Sequence, residues 1–225
     1  MTDLRGPGPR TDQPRPVVAV VDYGIGNLRS AEKALVRVGA DARLTADVAV
    51  IHPAPALGSA RAGHFGPRLE APRAAGRRPA PLAAVDAGKP VMGICVGMQM
   101  LYEASEEAPG VPGLGVLPGT VALLPDTVKR PQIQWNLVER RGRSGLFDGV
   151  EDPIWAYFVH SYAAPDSDAV VATCEYGGPV PAAVEQGNVW ATQFHPEKSS
   201  DKGLAVLANF TRAAARAAGG VEAPA

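Results

Sequence analysis

The sequence predicts an α/β fold with a largely parallel central sheet flanked by helices and an added antiparallel portion. Two apolar runs in the first half, Val17–Val21 and residues 90–94, are each followed by a helical pattern, which is typical of parallel strands. In the second half, five strand-like runs follow one another without helices between them, which indicates antiparallel strands.

Each element is predicted from its local pattern. The uninterrupted apolar run Val17–Val21 predicts a buried strand, and a glycine-containing turn leads from it into a helix at 28–38, which Gly39 ends. Residues 90–94 predict the next strand and 98–105 the next helix. The remaining predicted elements are strands at 120–124, 154–159, 170–175, 182–185 and 189–194 and a closing helix at 204–216.

Composition limits the size and class of the protein. The 225 residues, 46% of them hydrophobic, suffice for one core, so we expect a single domain at 17–213. The segments 1–16 and 214–225 are expected to be disordered tails. The 22 Lys and Arg residues nearly balance the 23 Asp and Glu residues, so the chain has no net positive charge. This balance argues against nucleic-acid and membrane partners. Two cysteines, no secretory signal and no apolar run of membrane-spanning length favour a cytoplasmic protein.

The first candidate for chemistry is the segment 93–97, which reads Gly-Ile-Cys-Val-Gly between a predicted strand and a predicted helix. This is the pattern of a nucleophile elbow with sulfur in place of oxygen. The glycines permit a tight turn and a close approach of substrate, and a helix N-terminus favours the reactive thiolate of Cys95. By itself, the pentapeptide fits a buried cysteine in a glycine-rich turn equally well.

The second candidate is the segment 193–198, which reads Gln-Phe-His-Pro-Glu-Lys. Residues two apart on an extended segment point to the same face, so Glu197 is expected to reach the imidazole of His195 and fix its tautomer. Such a pair can serve as general base and acid for a thiol. The alternative is an exposed loop with an ion pair to Lys198.

Together, the two motifs have the order of a Cys-His-Glu triad, and here the sequence resembles the class I (triad) glutamine amidotransferases. Further short segments, at 22–30, 93–99, 135–136, 157–162 and 193–199, resemble the glutaminase subunits of imidazole glycerol phosphate synthases. The resemblance covers about residues 17–210, except for 51–82, and it implies the fold of the class I amidotransferases.

The resemblance also implies a reaction and its residues. Cys95 would attack the side-chain amide of glutamine, His195 would carry the proton to ammonia, and Glu197 would orient His195. The residues implied to hold glutamine are Gly93, Val96, Gly97, Gln99, Glu107, Ser161 and Tyr162. The residues implied to meet a partner are Trp135, Asn136, Tyr157 and Lys198.

The implied partner is a (β/α)8-barrel cyclase subunit, which forms a heterodimer with the glutaminase. Ammonia would pass to it for synthesis of imidazole glycerol phosphate and an aminoimidazole carboxamide ribotide in histidine biosynthesis. The resemblance implies no metal and no organic cofactor.

The window 51–82 departs from the family. Of its 32 residues, 25 are Ala, Pro, Arg, Gly or His, and its six prolines argue against a long helix or a central strand. Family members carry here a strand and a P-G-V-G-type loop whose backbone N–H serves the oxyanion. This composition suggests a pair of compensating frame changes in the gene or in its recorded sequence.

Other interpretations are weighed against these. The glutaminase of another amidotransferase, such as that of anthranilate or vitamin B6 synthesis, fits the triad but not the 22–30 segment, and a non-catalytic interaction subunit fits the anomalous window. A dinucleotide site at 24–26 is rejected because Arg29 stands where a third glycine is required. His52, His64 and His160 lack the spacing of metal ligands. Cys174 is expected to pack in the core.

Overall fold

A computed structural model describes residues 15–22, 28–51, 53–60 and 79–219. Most of the expected N-terminal tail, the glycine-containing turn at 23–27, His52, the segment 61–78 and residues 220–225 lie outside the described residues. The predictions that fall on them, including the rejected dinucleotide site and His64, stay predictions.

The described chain alternates between strands and helices in its first half and is mostly strands in its second. The helices are α1 (Leu28–Arg37), α2 (Val48–Ile51), α3 (Ala80–Asp86), α4 (Val96–Gln99) and α5 (Ser200–Ala218). The strands are β1 (Val17–Val21), β2 (Asp41–Thr45), β3 (Ala56–Ala60), β4 (Val91–Ile94), β5 (Tyr102–Ser105), β6 (Leu117–Leu123), β7 (Gln132–Arg140), β8 (Ile154–His160), β9 (Tyr162–Ala163), β10 (Val170–Glu175), β11 (Pro179–Gln186) and β12 (Val189–Thr192).

Within these ranges, nine strands form one sheet in the order β2-β1-β3-β4-β12-β11-β10-β7-β8. The neighbours from β2 to β12 are parallel, and those from β12 to β8 are antiparallel. A second, three-stranded sheet consists of β5, β6 and β9. The predicted α/β class, with a parallel part and an added antiparallel portion, is confirmed.

Both faces of the parallel part are covered, as parallel sheets require. On β1, Val18 and Val20 pack into the cluster that contains buried residues of α1 and α5. Ala19 and Val21 point to the other face and belong to a different cluster, which includes Ala84 of α3. The apolar run of β1 is therefore uninterrupted because both sets of its side chains are buried.

The strand β3 corrects the expectation that prolines exclude a central strand from the window 51–82. It lies between β1 and β4, and its residues Ala56–Ala60 contain no proline. The prolines at 53 and 55 precede it, where a missing N–H removes no hydrogen bond of the strand. The hypothesis of frame changes concerns the gene and stays a prediction.

Two further predictions about secondary structure are wrong in extent. The helix expected at 98–105 is the short α4, which ends at Gln99, and Tyr102–Ser105 forms β5 instead. The closing helix runs over Ser200–Ala218, so residues 214–218 are not a tail: Ala214 is fully buried in the core. The helix ends before Gly219, where a glycine stop is expected. No helix of the described chain is long and apolar enough to cross a membrane.

The site is positioned by the pairing of β4 with β12 in the middle of the sheet. The two strands are parallel, with Ile94 opposite Thr192. Parallel strands end at the same edge of a sheet. Cys95 follows β4, and residues 193–197 follow β12. These two segments therefore lie next to each other at this edge of the sheet.

Candidate active site

Cys95 occupies a sharp turn between β4 and α4. Its backbone is left-handed, with φ 56° and ψ −110°, and it is the N-cap of α4. A non-glycine residue held in this region costs about 1–3 kcal/mol and persists where the surrounding structure fixes it. A hydrogen bond of 2.7 Å from the Cys95 N–H to the Thr192 carbonyl ties the turn to β12. This is the backbone geometry expected of the predicted nucleophile elbow.

The glycines of the elbow have a packing role. A Cβ on Gly93 would lie 2.8 Å from the carbonyl oxygen of Gly97 and 3.0 Å from the Met98 nitrogen. The strand and the helix can thus approach each other closely only with glycine at 93. Gly93 was predicted as a substrate contact. The structure shows a separate reason for glycine at this position, which is the close packing of β4 against α4.

His195 and Glu197 are joined by a hydrogen bond of 2.8 Å between Nδ1 and Oε1, and both side chains are almost fully buried. The prediction that they pair is confirmed, but the predicted reason is wrong. The segment Pro196–Lys198 is a turn of 3-10 helix, which folds Glu197 back towards the ring. Ser199 holds this turn, because its hydroxyl donates to the His195 carbonyl at 2.6 Å.

The surroundings of His195 favour its charged form. Burial alone would lower the pKa of His195, but its interactions with the Cys95 sulfur and the Glu197 carboxylate outweigh burial and raise the pKa to about 9. Since Nδ1–H points to Glu197, the other ring nitrogen, Nε2, is the one available to the thiol. Nε2 is buried and makes no hydrogen bond of standard geometry with any described residue.

The Cys95 sulfur itself is buried among polar groups. It lies 3.9 Å from the Val159 carbonyl on β8 and 3.8 Å from Nε2 of Gln193, which donates to it. The other cysteine, Cys174, is buried in the core as predicted, and burial raises the pKa of its thiol to about 12. Of the two thiols, Cys95 is the one that has the Gln193 amide and the His195 side chain beside it.

The predicted substrate residues lie on β4 and α4, where β8 meets β9, and in the loop after β5. Gln99 ends α4 and is buried, and both hydrogens of its side-chain amide are donated within the protein, to the Tyr162 carbonyl and to Gln193. The carbonyl of Ser161 accepts from the Leu124 N–H. Val96 and Gly97 form the first turn of α4, and Glu107 lies in the loop after β5, where its N–H donates to the Ser105 hydroxyl.

Three of the four predicted partner residues lie together, Trp135 and Tyr157 on the β7–β8 hairpin and Lys198 on the 3-10 turn beside it. Trp135 is opposite Tyr157 in register, the two rings meet edge to face, and the Lys198 ammonium lies over the Tyr157 ring. Asn136 is engaged elsewhere: its amide donates to the Glu175 carbonyl on β10. Trp135 is 47% exposed and is therefore not a core residue of the described chain.

Sequence reasoning missed two other large apolar residues of this hairpin, Ile133 and Trp155, which are 60% and 50% exposed. The alternation of Gln132, Ile133 and Gln134 was a usable signal, because it places every second residue of β7 on one face. The contact between Gln193 and the Cys95 sulfur was also missed, since no local pattern indicates where a buried amide points.

No metal site emerges: within the ranges that the structure describes, no three His, Cys, Asp or Glu side chains are arranged to hold an ion. His160 is buried on β8 and its Nδ1 lies 2.9 Å from the Tyr162 carbonyl. Burial lowers the pKa of His160 to about 4, although that hydrogen bond opposes the shift. His160 is therefore a neutral core residue at neutral pH.

Comparison with known proteins matches residues 19–214 to the family described as glutamine amidotransferase class-I. The chain is 48% identical over 201 residues to the imidazole glycerol phosphate synthase subunit HisH of Deinococcus radiodurans, covering 88% of this chain and 94% of that protein. It is 45% identical over 195 residues to the protein of the same name from Methanothermobacter thermautotrophicus, covering 86% and 97%. A crystal structure of a glutamine amidotransferase is similar in fold, with a TM-score of 0.69 at 23% identity, covering 88% of this chain and 98% of that one.

Proposed function

The chain belongs to the class-I glutamine amidotransferase family, and we propose that its Cys95, His195 and Glu197 release ammonia from glutamine. The predicted family, enzyme class and function as the glutaminase subunit of an imidazole glycerol phosphate synthase are confirmed by the match over 19–214 and by the relatives at 45–48% identity. The residue roles, the partner surface and the path of ammonia are the proposal.

One observation carries the proposal: a strained cysteine and a buried His–Glu pair leave adjacent parallel strands at the same edge of the sheet. A core cysteine needs neither a left-handed backbone nor a polar sulfur environment. A structural ion pair does not need a neighbouring thiol. The combination supports catalysis over the alternative of a non-catalytic interaction subunit.

The first half of the reaction forms a thioester. With its raised pKa, His195 is an imidazolium at neutral pH, paired with Glu197 and with the sulfur. The Cys95 thiolate attacks the carboxamide carbon of glutamine, and a C–S bond forms. The C–N bond then breaks while Nε2 of His195 gives its proton to the departing nitrogen, which leaves as ammonia.

The second half consumes water. Neutral His195 takes a proton from a water molecule, which attacks the thioester carbon and releases glutamate. The thiolate and the imidazolium are thereby restored. Glu197 keeps the Nδ1–H tautomer throughout, so that Nε2 always faces the reacting atoms.

The oxyanion of each intermediate needs a hydrogen-bond donor. The Val96 N–H is suited to this role, since the first N–H groups of a helix have no acceptor inside it. The end of β3, at Ala60, is opposite Ile94, next to the elbow. Loss of one donor costs roughly 10²–10³ in rate.

The partner surface is the exposed face of the β7–β8 hairpin. Ile133, Trp135 and Trp155 are large apolar residues at least 47% exposed there. Tyr157 lies on the same face, and the His195 N–H donates to its carbonyl at 2.9 Å. A cyclase barrel seated on this face would cover the triad and receive ammonia without its escape into water.

The decisive experiment measures glutamate release from glutamine by the chain alone, by its complex with a cyclase subunit, and by the complex with the cyclase's nucleotide ligand. Release that depends on the cyclase supports this function over that of another amidotransferase. Absence of release from a folded complex would contradict the proposed activity.

Cys95→Ala and Cys174→Ala form a matched pair for the nucleophile. Cys95→Ala should abolish glutamate production and leave cyclase binding intact, because the sulfur is buried and the substitution removes one atom. Cys174→Ala should retain turnover. Residual turnover in purified Cys95→Ala would exclude Cys95 as the nucleophile.

Trp135→Ala tests the partner surface. Removal of a half-exposed indole should leave the melting temperature nearly unchanged and weaken cyclase binding by about 2 kcal/mol or more, as at interface hot spots. Val36→Ala, at a 43% exposed apolar residue of α1, is the control. Equal cyclase affinity for both variants in titration calorimetry would show that the interface does not include this face.

A further inference from the structure

Two buried side-chain amides lie beside the nucleophile, and one of them has no role in the proposed reaction. Gln193 is fully buried and Gln99 is 2% exposed. A buried amide without hydrogen bonds lowers the stability of the fold, so buried amides normally have partners. Those partners show which way the oxygen and the NH₂ group of each amide point. These two amides hydrogen-bond to each other and to the groups on either side of them.

The polarity of this chain of hydrogen bonds is fixed at one end by the backbone. The Tyr162 carbonyl can only accept, so the Gln99 amide must present its NH₂ group there, at 2.8 Å. The same NH₂ group lies 3.0 Å from the Gln193 side chain, which must therefore present its oxygen. Rotating either amide by half a turn would bring two donors or two acceptors together.

The orientation of Gln193 follows from this. With its oxygen turned to Gln99, its NH₂ group is turned to the Cys95 sulfur, at a distance of 3.8 Å. The Tyr162 carbonyl is also in hydrogen-bond contact with Nδ1 of His160, which helps to hold this acceptor in place. The backbone of residue 162 thus determines that a donor, and not an acceptor, faces the nucleophile.

We infer that Gln193 is a positioning residue for the nucleophile: its amide donates a hydrogen bond to the Cys95 sulfur, stabilises the thiolate and holds it in place for attack. This inference rests on the proposed function of Cys95. A protonated thiol can instead donate to the Val159 carbonyl, 3.9 Å away. The two contacts therefore favour different protonation states, and the Gln193 contact favours the reactive one.

The test replaces Gln193 with Met, which has a similar length and no donor, and with Glu, which puts an acceptor beside the sulfur. The first measurement is the rate of Cys95 alkylation by iodoacetamide as a function of pH, on the full chain, with peptides resolved by mass spectrometry. We expect Gln193→Met to move the midpoint to higher pH by about one unit and Gln193→Glu to move it further.

The second measurement is glutaminase kinetics in the complex with the cyclase. Gln193→Met should lower kcat about tenfold with KM nearly unchanged, since the contact acts on the reacting atom and not on bound glutamine. A residue that only filled the core would change the melting temperature without moving the alkylation midpoint.

Cys174 provides the internal control, because it is buried in the same chain and reacts only if the core loosens. Wild-type alkylation midpoints in both Gln193 variants, with Cys174 still protected, would overturn the inference. If both variants expose Cys174, the variant Gln99→Met tests the same series of hydrogen bonds by removing the amide that orients Gln193. An unchanged Cys95 alkylation midpoint in Gln99→Met would also overturn the inference. An inactive wild-type complex would refute the proposed function, whereas the alkylation comparison would still decide the role of Gln193.

Discussion

The substitution Gly93→Ala tests whether the elbow depends on close contact between β4 and α4. The added Cβ would lie 2.8 Å from the Gly97 carbonyl oxygen, whereas ordinary contacts begin at 3.4 Å. Its neighbours are backbone atoms, which cannot rotate away as a side chain can. We therefore expect α4 to be displaced by about 0.6 Å relative to the strand, and Cys95 to move with it.

Two magnitudes follow from this displacement. Overpacking of a core by one methyl group costs about 1–3 kcal/mol, which lowers the melting temperature by about 2–12 °C in a protein of this size. A misplacement of about 1 Å costs about 10²-fold in rate, so a shift of this size should lower kcat by about tenfold or more. The assays are thermal unfolding and glutaminase kinetics in the cyclase complex.

Gly58→Ala is the matched control on the neighbouring strand β3. A Cβ there has its nearest contact at 3.6 Å, with Val20 Cγ2, which is an ordinary distance. Because alanine is less costly than glycine in a strand, this variant should be neutral or more stable by about 0.5–1 kcal/mol, with unchanged kcat. Wild-type stability and kcat in Gly93→Ala would refute the reasoning, and equal damage from Gly58→Ala would assign the effect to the sheet in general.

Two further predictions concern the turn that carries His195 and Glu197. The folded-state pKa of His195 is about 9 against an ordinary value of 6.5, so its contribution to stability is complete below pH 6.5 and is lost as the pH rises through 9. The melting temperature should fall over that range, and less steeply in Glu197→Gln; parallel pH profiles for the two proteins would contradict this. Gly203→Ala would place a Cβ 2.1 Å from the Pro196 carbonyl, so it should lower both stability and kcat, whereas alanine ordinarily stabilises a helix; a raised melting temperature with full activity would be the contrary outcome.

The placement of Cys95, His195 and Glu197 could be predicted from the sequence because its determinants are local. The glycines on either side of Cys95 and the spacing of His195 and Glu197 each act within a few residues. The burial of β1 could likewise be predicted directly, because its residues form an uninterrupted apolar run. The 3-10 turn at Pro196–Lys198 shows the limit of such reasoning, since the pairing was predicted correctly from a geometry that the chain does not adopt.

The errors arise where tertiary contacts override local preference. The proline-rich window was expected to exclude a central strand, yet β3 is inserted between β1 and β4, and its backbone hydrogen bonds to both neighbours outweigh the weak strand preference of Ala and Gly. The helix expected at 98–105 stops at Gln99 because Tyr102 onward pairs with β6. Neither pairing is visible to a local pattern.

The amide chain beside the nucleophile could not be predicted for a further reason. Gln99 and Gln193 are 94 residues apart, and the group that fixes their polarity is the backbone carbonyl of Tyr162, whose side chain is irrelevant to the effect. A sequence specifies such an arrangement only through the fold that brings β4, β8 and β12 to one edge of the sheet. The surroundings of the Cys95 sulfur are therefore determined in part by residues whose type indicates nothing about these contacts until their hydrogen-bond partners are known.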